Sequence, residues 1–270
     1  MPLQFIFSIT SPTEKNIFTS TQATRCTKCM ALFLQQIFAY ICCWLAAILN
    51  SGEMLKVDSV ELNFNGRKIL QGIYLDCKEN EVVGLLGRNG CGKSSLLKII
   101  FGTVNPTFKH ISVDDLVIDK GYQHNQIAYL PQHHFLPNHL SVSKLAAVMI
   151  DSDYWDEFTE LEIFQKNQHK KSAQLSGGEL RQIETLLILY SSARYILLDE
   201  PFIHLSPIQA AEFKKIIRLR AKTKGIIVTN HQYRSILEIS DRIFLLNNGY
   251  TNIIRETADL IEHGYINDLI

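Results

Sequence analysis

Residues 87–94 of the chain read Gly-Arg-Asn-Gly-Cys-Gly-Lys-Ser, and the segments on either side of them decide the fold. The segment before, residues 81–87, reads EVVGLLG, an apolar run with the length of a buried strand. The segment after, residues 95–101, reads SLLKIIF, whose apolar positions recur at helical spacing. A strand that enters a helix through a glycine-rich turn predicts an α/β fold built around that turn.

The glycine-rich turn has the chemistry of a phosphate site, because its spacing is the GxxxxGK[ST] pattern of a P-loop. Its glycines let successive backbone N–H groups point at phosphate oxygens, and the helix N-terminus adds a partial positive charge. Lys93 is expected to reach the β- and γ-phosphates, and the Ser94 hydroxyl to ligate Mg²⁺. The alternative is a glycine-rich turn with a chance lysine. It is disfavoured because both flanking segments have the required pattern.

Composition sets limits on the class of protein. The chain has 270 residues, 46% of them apolar, which suits one α/β domain or one domain with a small appendage. Lys plus Arg equals Asp plus Glu at 27 each, so the basic excess of a nucleic-acid binder is missing and no nucleic-acid partner is expected. Cys26 and Cys29 form a CxxC pair without a second pair at suitable spacing, which favours reduced thiols over a structural zinc site.

Further motifs follow in chain order. Gln132 ends the segment AYLPQ, and residues 175–179 read LSGGE at the start of LSGGELRQIETLLILY. Residues 195–201 read YILLDEP, an apolar run that ends in two carboxylates, and residues 225–231 read GIIVTNH. This ordered set resembles the ATP-binding cassette family: Walker A, Q-loop, signature, Walker B with its glutamate, and H-loop. The resemblance covers residues 54–270.

The resemblance implies an α/β fold: a P-loop NTPase core with an antiparallel β subdomain and a small α-helical signature subdomain at about 133–190. It implies an ATP-binding, ATP-hydrolysing subunit of an ABC transporter, which drives substrate transport through separate transmembrane subunits by ATP-dependent dimer closure. The expected location is cytoplasmic, peripheral on the inner face of the cell membrane. The segments SVSKLAAVMI and YWDEFTELEIFQ within 133–190 have helical patterns, and a plain helical insertion is the alternative interpretation.

The carboxylates after the apolar run have separate predicted roles. Asp199 ends a buried strand and suits Mg²⁺, whereas Glu200 suits a general base or a residue that orients the attacking water. The resemblance gives His231 a contact with the γ-phosphate, Gln132 contacts with Mg²⁺ and water, and Phe64 a stacking contact with adenine, with an ordinary strand aromatic as the alternative. The predicted catalytic residues are Glu200, His231 and Gln132, and the predicted metal ligands are Ser94, Gln132 and Asp199. The predicted cofactor-binding residues, for ATP, are Phe64, Gly87, Arg88, Asn89, Gly90, Cys91, Gly92, Lys93, Ser94, Ser95, Gln132, Ser176, Gly177, Gly178 and His231.

Ser176, Gly177 and Gly178 resemble a second anion site, with backbone N–H groups at a helix start and a hydroxyl beside them. In the family this turn faces the γ-phosphate that the other subunit's P-loop holds. Since the chain has one set of motifs, it is expected to form a homodimer, or a heterodimer with another ABC ATPase.

Two residues depart from the expected pattern. Ser206 stands in the D-loop where the family usually has an aspartate, which predicts weaker communication across the dimer. Cys91 lies inside the phosphate loop, where the helix N-terminus is expected to lower the pKa of its thiol. The alternative for Cys91 is a small residue that fills a tight turn.

Two other functions compete with the transporter subunit. A soluble ATPase switch of the same superfamily would act on ribosomes or DNA, but a second P-loop and a sustained heptad run are both missing from the sequence. A nucleotide sensor without hydrolysis conflicts with Glu200 and His231.

Residues 1–53 differ in character from the rest, and no function is built on them. Residues 30–49 form an uncharged run, MALFLQQIFAYICCWLAAIL, long enough to span a bilayer. Lys15, Arg25 and Lys28 would keep the N-terminus cytoplasmic, so a single span would place the ATP site outside the cell. Three interpretations stay open: an interfacial or partner-binding helix, an anchor inserted against its charge bias, or upstream sequence outside the natural product.

Overall fold

The computed structural model describes residues 53–266, which belong to one of the two units into which the chain divides. The predictions for the apolar run 30–49 and for the Cys26–Cys29 pair lie outside the described residues, and the domain boundary at residue 53 stays a prediction. Within the described range, no helix is long and apolar enough to cross a bilayer.

The first sheet is antiparallel and has the strand order β2-β1-β4-β5. Its strands are β1 (Met54–Phe64), β2 (Arg67–Lys78), β4 (Phe108–Val113) and β5 (Leu116–Val117). Asn65 and Gly66 join β1 to β2 with positive φ angles of 49° and 78°, the geometry of the tight hairpin that an Asn-Gly pair favours. This sheet is the antiparallel subdomain that the sequence predicts.

The second sheet has the strand order β10-β9-β3-β8-β7-β6, parallel from β9 to β6 and closed by an antiparallel hairpin at β10. Its strands are β3 (Val82–Leu86), β6 (Ile127–Leu130), β7 (Tyr195–Asp199), β8 (Gly225–Thr229), β9 (Arg242–Asn247) and β10 (Tyr250–Ile254). Every residue of β3, β7 and β8 is buried, as expected of parallel strands covered on both faces. The predicted strands at 81–87, 195–199 and 225–229 are confirmed.

Helices cover the parallel sheet. They are α1 (Lys93–Phe101), α2 (Val142–Met149), α3 (Trp155–Thr159), α4 (Glu162–Asn167), α5 (Gly177–Leu189), α6 (Pro207–Arg220), α7 (Tyr233–Leu237) and α8 (Thr257–Glu262), with 3₁₀ turns at Gln123–Asn125, Ser152–Tyr154 and Ser172–Gln174. The helical pattern at 154–165 forms two short helices rather than one, because Leu161 between them is extended, with ψ 125°. His231 does not begin a helix, since α7 starts two residues later.

Alternating side chains of the central strands divide the interior into two cores. Along β7, Ile196 and Leu198 pack into the core beneath α5 and α6, whereas Tyr195 and Leu197 pack into the core shared with α1 and the antiparallel sheet. Both faces of the strand are therefore used for packing, and its polar residues gather at the carboxyl end. Ligand sites of open α/β sheets lie outside that end, which is where the motifs converge.

Candidate functional site

A cavity of about 850 Å³ opens beyond the carboxyl ends of β3, β7 and β8. Part of its lining is apolar and consists of Leu62, Phe64, Ile69 and Val104. The remaining lining residues come from the predicted motifs and are Asn89, Gly90, Gly92, Lys93, Ser94, Ser95, Gln132, Glu200 and His231. The fold thus brings Walker A, the Q-loop, the Walker B glutamate and the H-loop to one place.

The glycine-rich turn presents the start of α1 to this cavity. Gly92 is the N-cap residue with φ 112° and ψ 7°, a left-handed conformation that glycine adopts without steric cost. Within the described residues, no side chain caps the helix and no acidic residue lies in its first turn. The Lys93 ammonium is nearly buried and donates to the carbonyl oxygens of Gly87 at 2.7 Å and Arg88 at 3.2 Å. The turn therefore brings an uncapped helix start and one cation to the lining of the cavity.

Asp199 is buried at the end of β7 and does not itself line the cavity. Its Oδ1 accepts a hydrogen bond from Thr229 Oγ1 at 2.9 Å, and its Oδ2 accepts one from Tyr129 Oη at 3.2 Å. Burial, followed by the charge of Asp199, raises the pKa of Tyr129, so this phenol stays a hydrogen donor. The carboxylate is held in one orientation. Tyr129 and Thr229 lie within the segments AYLPQ and GIIVTNH, but sequence reasoning gave neither of them a role.

Glu200 has an unusual backbone and a polar environment. Its φ of 51° lies in the left-handed region, where a residue other than glycine is strained. Its carboxylate Oε2 accepts a hydrogen bond from Gln132 Nε2 at 3.3 Å and lies 3.7 Å from His231 Nδ1. The three side chains predicted to be catalytic are therefore neighbours in space, although 68 residues separate Gln132 from Glu200 in sequence.

The signature turn is placed differently, because Ser176, Gly177 and Gly178 are not among the residues that line the cavity. Ser176 caps α5: its Oγ accepts a hydrogen bond from the Glu179 N–H at 3.3 Å. Glu179 Oε2 in turn accepts from the Ser176 N–H at 3.1 Å and from its hydroxyl at 3.0 Å. These bonds, and then the Lys166 ammonium 3.1 Å away, lower the pKa of Glu179 to about 2.

The side chains of Arg88 and Cys91 point to the opposite side of the glycine-rich turn. They line a separate cavity of about 240 Å³ against the C-terminal segment, and Arg88 Nη2 donates to the Gly264 carbonyl oxygen at 2.6 Å. Burial raises the pKa of the Cys91 thiol and outweighs the opposing effects of Lys93 and the backbone N–H groups. The expectation of a lowered Cys91 pKa is wrong, since the helix N-terminus acts on a thiol that is largely removed from water.

Ser206 has a structural role that the sequence comparison did not reveal. Its Oγ accepts a hydrogen bond from the Gln209 N–H at 3.3 Å, and Gln209 Oε1 accepts from the Ser206 N–H at 2.9 Å. The pair forms a capping box at the start of α6, with Pro207 in the first turn. Asp is an equally good N-cap residue, so the departure from the family pattern changes charge without changing the cap.

Arg181 is the largest fully buried side chain, and sequence reasoning missed it. It lies on α5 and donates hydrogen bonds to backbone carbonyl oxygens of the Q-loop and of the end of β7. In the sequence it is one of several polar residues in the first half of this helix, with Glu179, Gln182 and Glu184, a pattern that also fits a solvated helix face.

Comparisons with known proteins identify the family. The family model described as ABC transporter matches residues 70–203. The chain is 31% identical over 212 residues to the lipopolysaccharide export system ATP-binding protein LptB of Haemophilus influenzae, a match that covers 73% of this chain and 88% of that protein. It is 32% identical over 228 residues to a probable branched-chain amino acid transport ATP-binding protein LivF of Archaeoglobus fulgidus, covering 78% of this chain and 95% of the relative.

Solved structures share the fold. An ATP-binding subunit of an ABC transporter superposes with a TM-score of 0.70 at 19% identity, covering 78% of this chain and 94% of that chain. A bacterial Atm1-family ABC exporter with ATP bound gives a TM-score of 0.65 at 20% identity, covering 78% of this chain and 40% of that chain. These relatives do not favour the alternative of a switch acting on ribosomes or DNA. The matched family model, the relatives covered over most of their length and the converging motifs lead to one conclusion: the chain belongs to the ABC transporter family, as an ATP-binding and ATP-hydrolysing subunit.

Proposed function

We propose that the chain drives a membrane transporter by closing as a dimer around two ATP molecules and reopening after their hydrolysis. The observation that carries this proposal is the separation of two anion-binding turns on one chain. The glycine-rich turn lines the cavity with Gln132, Glu200 and His231, whereas the signature turn at Ser176 lies outside it. A cavity with one phosphate-binding turn becomes complete when a second copy, or a related ATPase, supplies the other.

The lining of the cavity suits a nucleoside triphosphate. Phe64 lines it and is 67% exposed, so its ring offers a face on which adenine stacks. Lys93 and the first turn of α1 line the same cavity, where they suit the β- and γ-phosphates. The apolar and polar lining residues thus match the base and the phosphates of ATP.

Residues of the predicted motifs in and behind the cavity lining also fit Mg²⁺. Ser94, Gln132 and Asp199 offer hydroxyl, amide and carboxylate oxygens, the ligands that this hard cation prefers. Thr229 and Tyr129 fix the Asp199 carboxylate, which is the kind of support that metal-binding carboxylates need. When bound, the ion would neutralise charge on the phosphates during transfer to water.

The neighbours Gln132, Glu200 and His231 suit the hydrolytic step. Glu200 would take a proton from the attacking water, or orient it, and Gln132 would hold the carboxylate through its 3.3 Å contact. His231, whose Nδ1 lies 3.7 Å from the same carboxylate oxygen, suits the γ-phosphate. Removing the γ-phosphate would remove the ligand that joins the two chains and would let the dimer open.

The proposed place of work is the cytoplasmic, inner face of the cell membrane, against separate transmembrane subunits. The names of the relatives support this: LptB belongs to a lipopolysaccharide export system, and LivF is described as a branched-chain amino acid transport protein. Their cargoes differ, and of these two names only the first states a direction, export. We therefore propose that this chain powers transport, and we assign it no particular cargo.

Light scattering on the Glu200→Gln protein in saturating MgATP tests the dimer. Loss of the carboxylate should stop hydrolysis and leave a stable dimer with nucleotide trapped between two chains. Adding Lys93→Ala should abolish nucleotide binding and keep the protein monomeric. Adding Gly177→Asp instead should leave nucleotide binding intact and prevent closure, because the new side chain has open space in the monomer but brings a carboxylate to the phosphate turn.

Mixing these two double variants separates a composite site from a site within one chain. A mixed dimer pairs an intact Lys93 from one chain with an intact Gly177 from the other, so one complete site remains. We expect dimers to appear on mixing that neither variant forms alone. A Glu200→Gln protein that stays monomeric with bound MgATP would overturn the proposal, as would a mixture that remains monomeric while Glu200→Gln dimerises.

A further inference from the structure

Arg181 ties three separate segments together inside the protein. Its side chain is completely buried on α5. Nη1 donates to the Pro131 carbonyl oxygen at 2.7 Å, and Nη2 donates to those of Asp199 at 2.7 Å and Glu200 at 2.9 Å. Pro131 directly precedes Gln132, so a single guanidinium holds both the Q-loop and the end of β7.

Glu184, one turn further along α5, extends the same network. Its carboxylate is fully buried and lies 3.7 Å from Arg181 Nη1, which compensates part of the cost of burying the arginine. It also accepts hydrogen bonds from the Phe135 N–H at 2.9 Å and lies 2.9 Å from His134 Nδ1. Helix α5 therefore holds the Q-loop on both sides of Gln132, through Pro131 before it and through His134 and Phe135 after it.

We call the hydrogen bonds from Arg181 to the carbonyl oxygens of Pro131, Asp199 and Glu200 the clamp. The backbone of Glu200 shows why it is needed. A residue in the left-handed region persists only where its surroundings fix it. Thr229 Oγ1 accepts from the Glu200 N–H at 3.1 Å, and Arg181 binds the Glu200 carbonyl oxygen. Without the arginine, the Glu200 carbonyl oxygen keeps the longer bond from the Ile203 N–H at 3.4 Å but loses the bond at 2.9 Å, and the carboxylate is freer to leave Gln132.

Helix α5 also begins at the signature turn. Ser176 is its N-cap and Arg181 lies in its second turn, so a rigid helix connects the two. Resting on the proposed function, we propose that Arg181 is a positioning residue that couples the signature turn to the hydrolytic centre. Movement of the signature turn towards a partner's nucleotide is passed through Arg181 to the carbonyl groups of Glu200 and Pro131. The carboxylate and Gln132 are thereby aligned when the dimer closes.

Steady-state kinetics of Arg181→Lys and Arg181→Met test the clamp. An ammonium keeps the charge but does not reproduce the planar fork that reaches three carbonyl oxygens, and Met removes the charge at similar length. We expect kcat to fall about 10- to 100-fold in both variants, the effect of a misplaced reacting group, while the KM for ATP and the nucleotide Kd change less than about threefold. In the Glu200→Gln background, both variants should still form the MgATP dimer.

Arg220 provides a matched control. It is also a buried arginine, but it binds Glu157 and stacks on Tyr154 and Tyr190, and it does not line the cavity. Arg220→Met should lower the unfolding temperature without a selective fall in kcat. If Arg181→Met does not fold, Arg181→Lys and the isosteric Glu184→Gln carry the test, and Glu184→Gln should give a smaller fall in kcat with KM unchanged.

The possible outcomes separate this proposal from the one it rests on. Parental kcat in Arg181→Lys and Glu184→Gln would overturn the clamp and leave the dimer mechanism standing. A fall in kcat that only follows the loss of folded protein, as in Arg220→Met, would also overturn it. If Glu200→Gln hydrolyses ATP at the parental rate, the proposed hydrolytic centre itself is wrong, whatever the Arg181 variants do.

Discussion

Helices α1 and α5 both begin at glycine-rich turns with a serine nearby, yet the charges at their N-termini are opposite. At α1 the N-cap is Gly92, no acidic residue lies in the first turn, and Lys93 adds a positive charge. At α5 the N-cap is Ser176, and the negative charge of Glu179 already occupies the first turn. One helix start is left open to an anion, and the other carries an anionic side chain of its own.

This difference suggests an order of events. A helix N-terminus favours one nearby negative charge, and at α5 Glu179 supplies it before any phosphate arrives. In the proposed dimer, the turn at α1 would therefore bind triphosphate by itself, whereas the turn at α5 would need a phosphate that another loop already holds in place. Nucleotide binding would precede dimer closure for this electrostatic reason.

Lys93→Ala tests the open helix start and has the largest expected effect. Without the ammonium, the phosphates lose the one cation that the turn supplies, and ATP affinity and hydrolysis should each fall on the order of 100-fold or more. Titration with a fluorescent ATP analogue and phosphate release measure the two losses. Lys98→Ala, on the exposed side of the same helix, is the control. If Lys93→Ala binds ATP with parental affinity, the start of α1 is not prepared for an anion in a way that the start of α5 is not.

Alkylation of Cys91 probes the same turn from its other side. Since burial raises the pKa of the thiol above its ordinary value of 9.0, the thiolate is scarce at pH 7 and reaction with iodoacetamide should be slow there, accelerating as the pH passes 9. The sulfur already packs against Gly87, where an added Cβ would lie 2.6 Å from it, so an adduct should displace the backbone of the turn and modified protein should lose ATP binding.

Peptide mapping by mass spectrometry follows Cys91 separately from the other cysteines. Bound nucleotide should hold the turn closed and slow the reaction. Cys91→Ala should bind ATP normally and show no loss of binding after the same treatment. Full ATP binding in protein with confirmed modification of Cys91 would contradict this account.

Glu179→Gln tests the occupied helix start through its pH dependence. Because the folded-state pKa of Glu179 is about 2 and its ordinary value is 4.5, the ionised carboxylate stabilises the fold above pH 4.5, and this contribution is lost as the pH falls towards 2. The parent should be the more stable protein near neutral pH, by less than about 1 kcal/mol because solvent screens this partly exposed site. The difference should vanish near pH 2.

Urea unfolding between pH 2 and 7 measures this difference, and α6 supplies the reciprocal control. Gln209 holds the same capping position at α6 that Glu179 holds at α5. Gln209→Glu should therefore give α6 the stabilisation that Glu179→Gln removes from α5, with the same direction of pH dependence. A constant difference between parent and Glu179→Gln across the whole range would mean that the charge contributes nothing.

Much of the fold could be predicted because its signals are local. The apolar runs of β3, β7 and β8 each end at a motif residue, and parallel strands bring such ends together. The cavity residues Lys93, Gln132, Glu200 and His231 follow from that rule. Spacing along the chain was sufficient to predict a site residue wherever its position at a strand end or a helix start alone determines where its side chain lies.

The rest depends on contacts between distant parts of the chain. Arg181 resembles any polar residue of a helix until the fold brings it to Pro131, 50 residues earlier, and to the end of β7. Arg88 reaches Gly264, 176 residues later, and the Cys91 beside it is buried against the same segment. Burial by a remote segment reverses the pKa shift that the helix start alone predicts for Cys91.

Ser206→Asp has the smallest expected effect. It separates the role of residue 206 as a helix cap from its role in communication between the two subunits of the proposed dimer. Asp caps a helix as well as Ser does, so α6 should keep its capping box and the unfolding free energy should change by no more than a few tenths of a kcal/mol. The new carboxylate restores the charge that the family usually places in the D-loop, so the Hill coefficient of ATP hydrolysis should change more than the nucleotide Kd does. Ser206→Asn, which caps without charge, is the control. Equal Hill coefficients in Ser206→Asp and parent would show that residue 206 only caps the helix. A negative charge at the start of α6 would then have no functional effect comparable to that of the Glu179 carboxylate at the start of α5.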